Sequence, residues 1–241
     1  MAKQSKTTRS QDEVTTSRKN KPRHSKESTA TTNPPDMQAT STSADPPLFF
    51  WKETEKVGWL CQWYPCRFSD PDYPDAGVFN CAEQYMMYRK ALLFDDQDIA
   101  KQIMKASSPR KQKGLGTAVA GFDDAEWEKA RSGIVERGSY LKFTQGTNVS
   151  SLNMSSNEDP TPLKDYLLGT KDLELVEASP FDKIWGIDYN DEEALSTPRS
   201  SWGLNLLGKA LMKARAQVRE ETARDEAAVE ALEAMKLEDG G

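Results

Sequence analysis

Apolar residues recur at helical spacing through the middle of the chain. The longest run covers 123–143, where Trp127, Ile134 and Phe143 fall at helical intervals, and it predicts a central core helix. Shorter runs of the same kind predict four further helices. These cover 82–94, 96–105, 163–168 and 209–218.

Cap and turn residues separate these runs. Ser108 followed by Pro109 is typical of a helix N-cap and a first helical position, and it predicts a helix over 110–115. Ser179 starts another capping pattern. The stretch 146–161 is rich in Asn, Ser and Pro and predicts a long polar loop.

Two short apolar segments predict extended structure, at 47–51 and 174–177. The chain ends differ from this middle. No Phe, Trp, Tyr, Leu or Ile occurs in 1–44, so that segment cannot bury enough apolar surface to offset the entropy of ordering. We therefore predict a disordered basic tail at 1–45, a folded domain at 46–219, and an acidic, helical Ala- and Glu-rich tail at 220–241.

Charge is distributed unevenly along the 241 residues. Residues 1–44 carry eight Lys and Arg against four Asp and Glu, so the tail is +4 and the remainder is −10. An acidic body argues against broad phosphate-backbone binding, and a solvated tail is the favoured interpretation of the basic cluster at 18–26.

Cysteine and histidine usage argues against a metal site. The three cysteines form no CxxC pair, and His24 lies in the predicted tail. No signal-peptide or membrane-spanning pattern is visible, which predicts an intracellular protein, cytoplasmic or nuclear, without a membrane partner.

Glu83 and Lys90 are the candidate reactive pair. They lie seven residues apart, almost two turns, and so share one face of the predicted helix. A carboxylate that transfers protons and an amine that attacks a sugar carbon suit cleavage of a glycosidic bond. The alternative is structural, with Glu83 in a capping box opened by Asn80 and Lys90 on a solvated face.

Several segments together resemble the NADAR family, also called YbiA-like. The resemblance covers about 48–219 and rests on the order and spacing of these segments. They are Gln62-Trp-Tyr-Pro65, Ala82-Glu-Gln-Tyr-Met-Met87 with Lys90-Ala91, Ser108-Pro109 through Leu115-Gly116, Ala178-Ser-Pro-Phe-Asp-Lys-Ile-Trp-Gly186, and Trp202-Gly-Leu-Asn-Leu-Leu-Gly208.

The resemblance implies a compact, helix-rich α+β domain with a few short strands and one pocket. It also implies N-glycosidase activity, without a cofactor or metal, on a small N-ribosyl substrate. The two substrate classes are a ribosylamino-pyrimidine phosphate of early riboflavin biosynthesis and an ADP-ribosylated guanine, so nucleic acid enters only as a carrier of a modified base. The alternative is a non-catalytic module that binds NAD or ADP-ribose.

Three residues match the family's reactive positions. Glu83 is expected to protonate a leaving nitrogen or the ring oxygen. Lys90 is expected either to form a Schiff base at C1 or, if it stays protonated, to hold a phosphate. Asp182 is expected to bind ribose hydroxyls, the alternative being a position in a helix capped by Ser179.

Five further residues are expected to bind substrate: Trp63, Tyr64, Trp185, Gly186 and Asn205. The aromatic rings would stack on the base. The alternative for Trp63 and Tyr64, which precede a proline, and for Trp185 is a place in the core. The Asn205 amide would meet the substrate or satisfy loop backbone.

Two positions depart from the family pattern. Thr117 stands where an Arg is usual after Leu115-Gly116, and Asp188 stands where a Gly is usual. Both changes are expected to disfavour a highly phosphorylated ligand, because one removes a phosphate contact and the other adds negative charge.

Overall fold

Helices dominate the residues that the computed structural model describes, 45–147 and 161–238. Two short strands accompany them, as the α+β prediction requires. The helices are α1 (Ala82–Leu93), α2 (Gln97–Lys105), α3 (Pro109–Thr117), α4 (Asp124–Gln145), α5 (Leu163–Gly169), α6 (Asp191–Ser196) and α7 (Leu206–Glu238), and the strands are β1 (Leu48–Phe50) and β2 (Leu175–Glu177).

The predicted central helix is α4. It contacts α1, α5 and α7, and its Val135 and Phe143 are almost fully buried. Gly138 lets α1 approach closely, because a Cβ there would lie 2.6 Å from the ring of Tyr85. Helix α4 therefore forms the centre of the hydrophobic core, as its periodicity predicts.

The two strands pair in parallel, with Leu48 opposite Leu175 and Phe50 opposite Glu177. Since parallel strands end at the same edge of a sheet, the residues after β1 and after β2 lie side by side. The backbone N–H of Ala178 extends the pairing by donating to the carbonyl of Phe50. This shared edge forms one wall of the pocket described below.

Helix α7 has a buried first half and an exposed second half. Leu211 and Val218 are buried, whereas Val229, Leu232 and Met235 are each more than half exposed. The part of α7 beyond residue 219 is therefore a solvated helix. Within the described ranges, no helix is both long and apolar enough to cross a membrane.

The described structure differs from the predicted local structure in two places, and a third prediction falls mostly outside it. Residues 179–186 form turns and not a capped helix, because Asp182 Oδ1 accepts from the backbone N–H groups of Ile184 and Trp185. Helix α6 was not predicted, although Asn190 and Glu193 form its capping box. Most of the predicted polar loop, 148–160, lies outside the described residues.

A buried carboxylate, Asp70, joins α1 to α4. It accepts from the Tyr85 hydroxyl at 2.7 Å and from the Arg137 guanidinium at 2.8 Å. Burial opposes its ionisation, but the donors Arg137, Tyr85 and the N–H of Asp72 outweigh that effect and lower the pKa of Asp70. Asp70 is therefore ionised in the folded protein.

We expect Asp70→Asn to lower the free energy of unfolding by about 2–3 kcal/mol at pH 7, because it weakens hydrogen bonds to a charged group. A folded-state pKa below the ordinary value makes this contribution present above about pH 4 and lost as the pH falls further. Urea unfolding at pH 7 and pH 3 measures the difference. Asp72→Asn is the control, since Asp72 contacts Arg137 at 3.5 Å from an exposed position; an equal loss in both variants would contradict the assignment.

Candidate active site

A pocket of about 720 Å³ lies where the ends of β1 and β2 meet α1 and α3. Carboxyl groups, cations and aromatic rings line it. The helices contribute Glu83 and Lys90 of α1, Arg110, Lys113 and Thr117 of α3, and Trp127 of α4. The strands and loops contribute Trp51 and Lys52 after β1, Trp63 before α1, Glu177 of β2, and Phe181, Asp182 and Trp185 after β2.

Glu83 points into this pocket because another residue caps the helix. The Cys81 thiol accepts the N–H of Gln84, and the Gln84 side chain in turn accepts the N–H of Asn80. Glu83 is therefore free of the cap, and the capping-box alternative is wrong. Its carboxyl group is 4% exposed, and Oε1 has no hydrogen-bond partner among the described residues.

The surroundings of Glu83 favour its protonated form. Burial raises its pKa to about 7, and the negative charge of Asp182 acts in the same direction. The positive charge of Lys113 and a hydrogen bond from the Trp63 indole oppose the shift. Glu83 can therefore both give and take a proton near neutral pH.

Glu177 is a second buried carboxyl group in the pocket, and the sequence analysis did not identify it. Burial, followed by the charges of Asp182 and Glu83, raises its pKa to about 8 against the opposing charge of Lys113. Its Oε2 atom is buried and without a partner in the described part of the chain. The available signal was an acid ending an apolar strand directly before Ala178.

Lys90 lies deep in the same pocket. It is 9% exposed, so the solvated-face alternative is wrong. Its Nζ lies 4.0 Å from the centre of the Phe122 ring and 5.5 Å from that of Trp127. Burial lowers its pKa, with the charge of Asp124 opposing. A lysine that loses its proton more easily is a better nucleophile.

Cys61 also lines the pocket, but its thiol is a poor competitor for that role. Burial raises its pKa to about 12, so the thiol stays protonated near neutral pH. In residues 45–147 and 161–238, no three His, Cys, Asp or Glu side chains are arranged to hold a metal ion.

Asp182, Trp63 and Trp185 line the pocket. Asp182 also fixes its own turn through Oδ1, so it has a structural role besides any contact with substrate. Trp185 is half-buried and packs against the main core as well. Trp185 therefore has a role in the core, and its stacking on a substrate ring stays a prediction.

The structure does not bring Tyr64, Gly186 and Asn205 into the pocket lining. Tyr64 is buried in the core. Gly186 provides room for backbone, since a Cβ there would lie 2.8 Å from the carbonyl oxygen of Glu177. Asn205 holds β2 instead: its Oδ1 accepts from Glu177 N–H at 3.0 Å, and its Nδ2 donates to the Leu175 carbonyl at 2.9 Å. The loop-backbone alternative for Asn205 accounts for both amide atoms.

Cations of the pocket are available for an anionic ligand. Lys52, Arg110 and Lys113 line it, and none forms an ion pair within the described residues. Thr117 lines it too, but its hydroxyl donates to the Gly114 carbonyl. Asp188 is exposed and outside the lining. The pocket thus keeps positive charge despite the two sequence departures.

Comparison with known proteins places this geometry in a family. The family model described as NADAR domain matches residues 49–219. The chain belongs to the NADAR family. The pocket residues from Trp51 to Leu207 all fall within the matched NADAR domain.

Two relatives of this NADAR chain carry functional names. An N-glycosidase of Acanthamoeba polyphaga mimivirus is 42% identical over 156 residues, which cover 64% of this chain and 84% of that protein. A riboflavin biosynthesis protein of Vibrio vulnificus is 26% identical over 174 residues, covering 72% of this chain and 39% of that longer protein.

The solved structure of the E. coli protein YbiA has the same fold. It superposes with a TM-score of 0.54 at 21% identity, and the match covers 74% of this chain and 88% of that one. The predicted YbiA-like, helix-rich fold is therefore confirmed.

Proposed function

We propose that this protein is an N-glycosidase that hydrolyses the C1–N bond of an N-ribosyl substrate. One observation carries the proposal: Glu83 and Glu177 place two buried carboxyl oxygens, without hydrogen-bond partners among the described residues, in the pocket that also contains Lys90. Buried polar atoms without partners are rare, and here a substrate would supply the missing donors. The 42% identity to a protein named N-glycosidase supports the same conclusion.

The two carboxyl groups serve as proton donor and proton acceptor. With pKa values of about 7 and about 8, the pair retains one of its two protons between these values. Because the groups interact, the proton belongs to the pair and not to one residue. The protonated carboxyl gives its proton to the leaving nitrogen, and the ionised one accepts a proton from the attacking group.

Lys90 is the nucleophile in the proposed reaction. Its neutral amine bonds to C1 as the bond from C1 to the base nitrogen breaks, and the electron pair leaves with the protonated nitrogen. The ammonium formed at Lys90 Nζ then loses one proton to the ionised carboxyl, and the C1–O4′ bond breaks as the nitrogen lone pair forms the C1=N bond. The O4′ oxygen keeps the electron pair of the broken bond and takes the proton from the carboxyl, so a protonated Schiff base remains at Lys90 Nζ. Water, activated by the ionised carboxyl, then adds to C1 and releases the amine together with the free sugar.

The pocket cations bind the phosphate of the substrate. Arg110 and Lys113 extend from α3 and supply donors for phosphate oxygens. Lys113 also lowers the pKa values of Glu83 and Glu177, so a bound phosphate that neutralises it would raise both and favour the protonated pair. Binding of the substrate phosphate thus increases the protonated fraction of the two carboxyl groups.

The direct test is release of free base. We expect the purified chain to release base from a ribosylamino-pyrimidine phosphate or an ADP-ribosylated guanine, and Glu83→Gln to reduce the rate about 10²-fold or more. Chromatography of the products measures this. Glu226→Gln, an exposed position on α7, is the matched control and should keep the wild-type rate. Tight calorimetric binding with no base released from either substrate would instead identify a non-catalytic binding module.

A further inference from the structure

The edge of the pocket carries an exposed aromatic pair that the proposed reaction does not use. Phe181 is 85% exposed, yet it lines the pocket. Its ring centre lies 6.2 Å from that of Trp51, with the two planes inclined at 55°. We call these two residues the aromatic rim.

Both members of the rim are fixed by the fold. Trp51 directly follows β1, and Phe181 lies in the turn that Asp182 Oδ1 holds after β2. The parallel pairing of β1 with β2 therefore keeps the two rings together at the edge that also presents Glu177. The rim is a feature of the pocket wall and not an isolated surface residue.

A solvated ring of this kind does little for stability, but it offers a flat apolar face to a ligand. Nucleobases stack on exposed aromatic side chains, and a nearby cation adds to the attraction. Lys52 Nζ lies 4.1 Å from the centre of the Trp51 ring and covers one of its faces, so Phe181 is the freer platform. The pocket volume, about 720 Å³, lies in the upper part of the range of roughly 300–1,000 Å³ for small-molecule sites.

We propose that the aromatic rim is a stacking subsite for a second heteroaromatic ring of the substrate. This ring is distinct from the base that is released and is joined to the ribose through phosphate, which Arg110 and Lys113 contact. The inference rests on the proposed function and narrows its substrate to the class with a nucleobase at each end, such as an ADP-ribosylated base. A single-ring ribosylamino-pyrimidine monophosphate would leave the rim unoccupied.

The test compares two probes that share the ribose phosphate but differ in the second ring. ADP-ribose carries adenine, and ribose 5-phosphate does not. We expect Phe181→Ala to raise the Kd of ADP-ribose about tenfold, the range typical of one stacked base, and to leave the Kd of ribose 5-phosphate within about twofold. Calorimetry on the full chain measures both.

Two further variants make the test specific. Leu195→Ala removes another exposed apolar side chain, which is 74% exposed and lies outside the pocket. It should alter neither Kd. Phe181→Trp should keep or improve ADP-ribose binding, whereas Phe181→Leu, which keeps apolar bulk without a ring, should weaken it nearly as much as alanine. Thermal unfolding checks that each variant is folded.

Equal weakening of both probes by Phe181→Ala, no change in either, or full affinity in Phe181→Leu would overturn the stacking subsite. These outcomes are separate from failure of the proposed reaction, because binding of ADP-ribose requires no bond cleavage. Base release without any effect of Phe181 would keep the reaction and remove the subsite. A Phe181-dependent preference for ADP-ribose without base release would keep the subsite and remove the reaction.

Discussion

Lys90→Ala is expected to lower turnover about 10³-fold or more and to abolish the covalent adduct that borohydride traps from wild-type protein and substrate. The reason is that the proposed reaction passes through a Schiff base on Lys90 Nζ, which borohydride reduces to a stable amine. Mass spectrometry of the trapped protein measures the adduct and locates it on the peptide. Release of free base measures turnover.

Lys90→Arg separates the two roles given to this residue. Arginine keeps the positive charge and can hold a phosphate, but it cannot act as a nucleophile at accessible pH. We expect the arginine variant to be as inactive as the alanine variant. Lys101→Ala, at an exposed position of α2, serves as the control and should retain both adduct and turnover. An adduct on another lysine would remove Lys90 as the nucleophile, and substantial activity in Lys90→Arg would favour a phosphate contact instead.

The kcat/KM for base release, measured at substrate concentrations well below KM, is expected to follow a bell-shaped dependence on pH, with limbs near pH 7 and pH 8, the values of the substrate-free protein. Below about pH 7 both Glu83 and Glu177 are protonated and no base is present; above about pH 8 both are ionised and no acid remains. Initial rates between pH 5.5 and about 9.5 trace the curve. Because the two groups interact, the limbs report values of the pair.

Single replacements in the pair should alter the shape of this curve as well as its height. Glu83→Gln and Glu177→Gln are each expected to lower the maximal rate about 10²–10⁴-fold and to leave one limb in place of two. In Glu83→Gln the remaining limb should move to lower pH, because the negative charge that raises the pKa of Glu177 is gone. A Glu177→Gln variant with the wild-type curve would remove Glu177 from the reaction and leave it a buried structural acid.

Local sequence signals predicted every helix except α6, because many of the bonds that form helices are local. Ser108 caps α3 through the N–H of Lys111, and Asp123 caps α4 through the N–H of Glu126, each three residues away. The first turn of a helix depends on such neighbours, so the residues around each helix start indicate where the helix begins.

The identity of the pocket residues was predictable only in part, because burial is decided by distant segments. Glu83 and Lys90 share a helix face, so their spacing indicated a pair. Glu177 reaches the pocket only because β2 pairs with β1 and because Asn205, from just before α7, holds its backbone. Neither contact is visible in the sequence around Glu177. Asn205 was predicted to bind the substrate or to satisfy loop backbone, and its amide contacts the backbone of β2.

The pairing of β1 with β2 also determines when the pocket can exist during synthesis. Glu83 and Lys90 leave the ribosome long before Glu177, and Asn205 follows later still. Contacts between such distant parts of a chain form slowly and only after both parts are available. A chain whose translation stops between Glu177 and Asn205 therefore contains Lys90 and both carboxyl groups but lacks the amide that holds the backbone of β2. The pocket is therefore complete only after Asn205 has been synthesised.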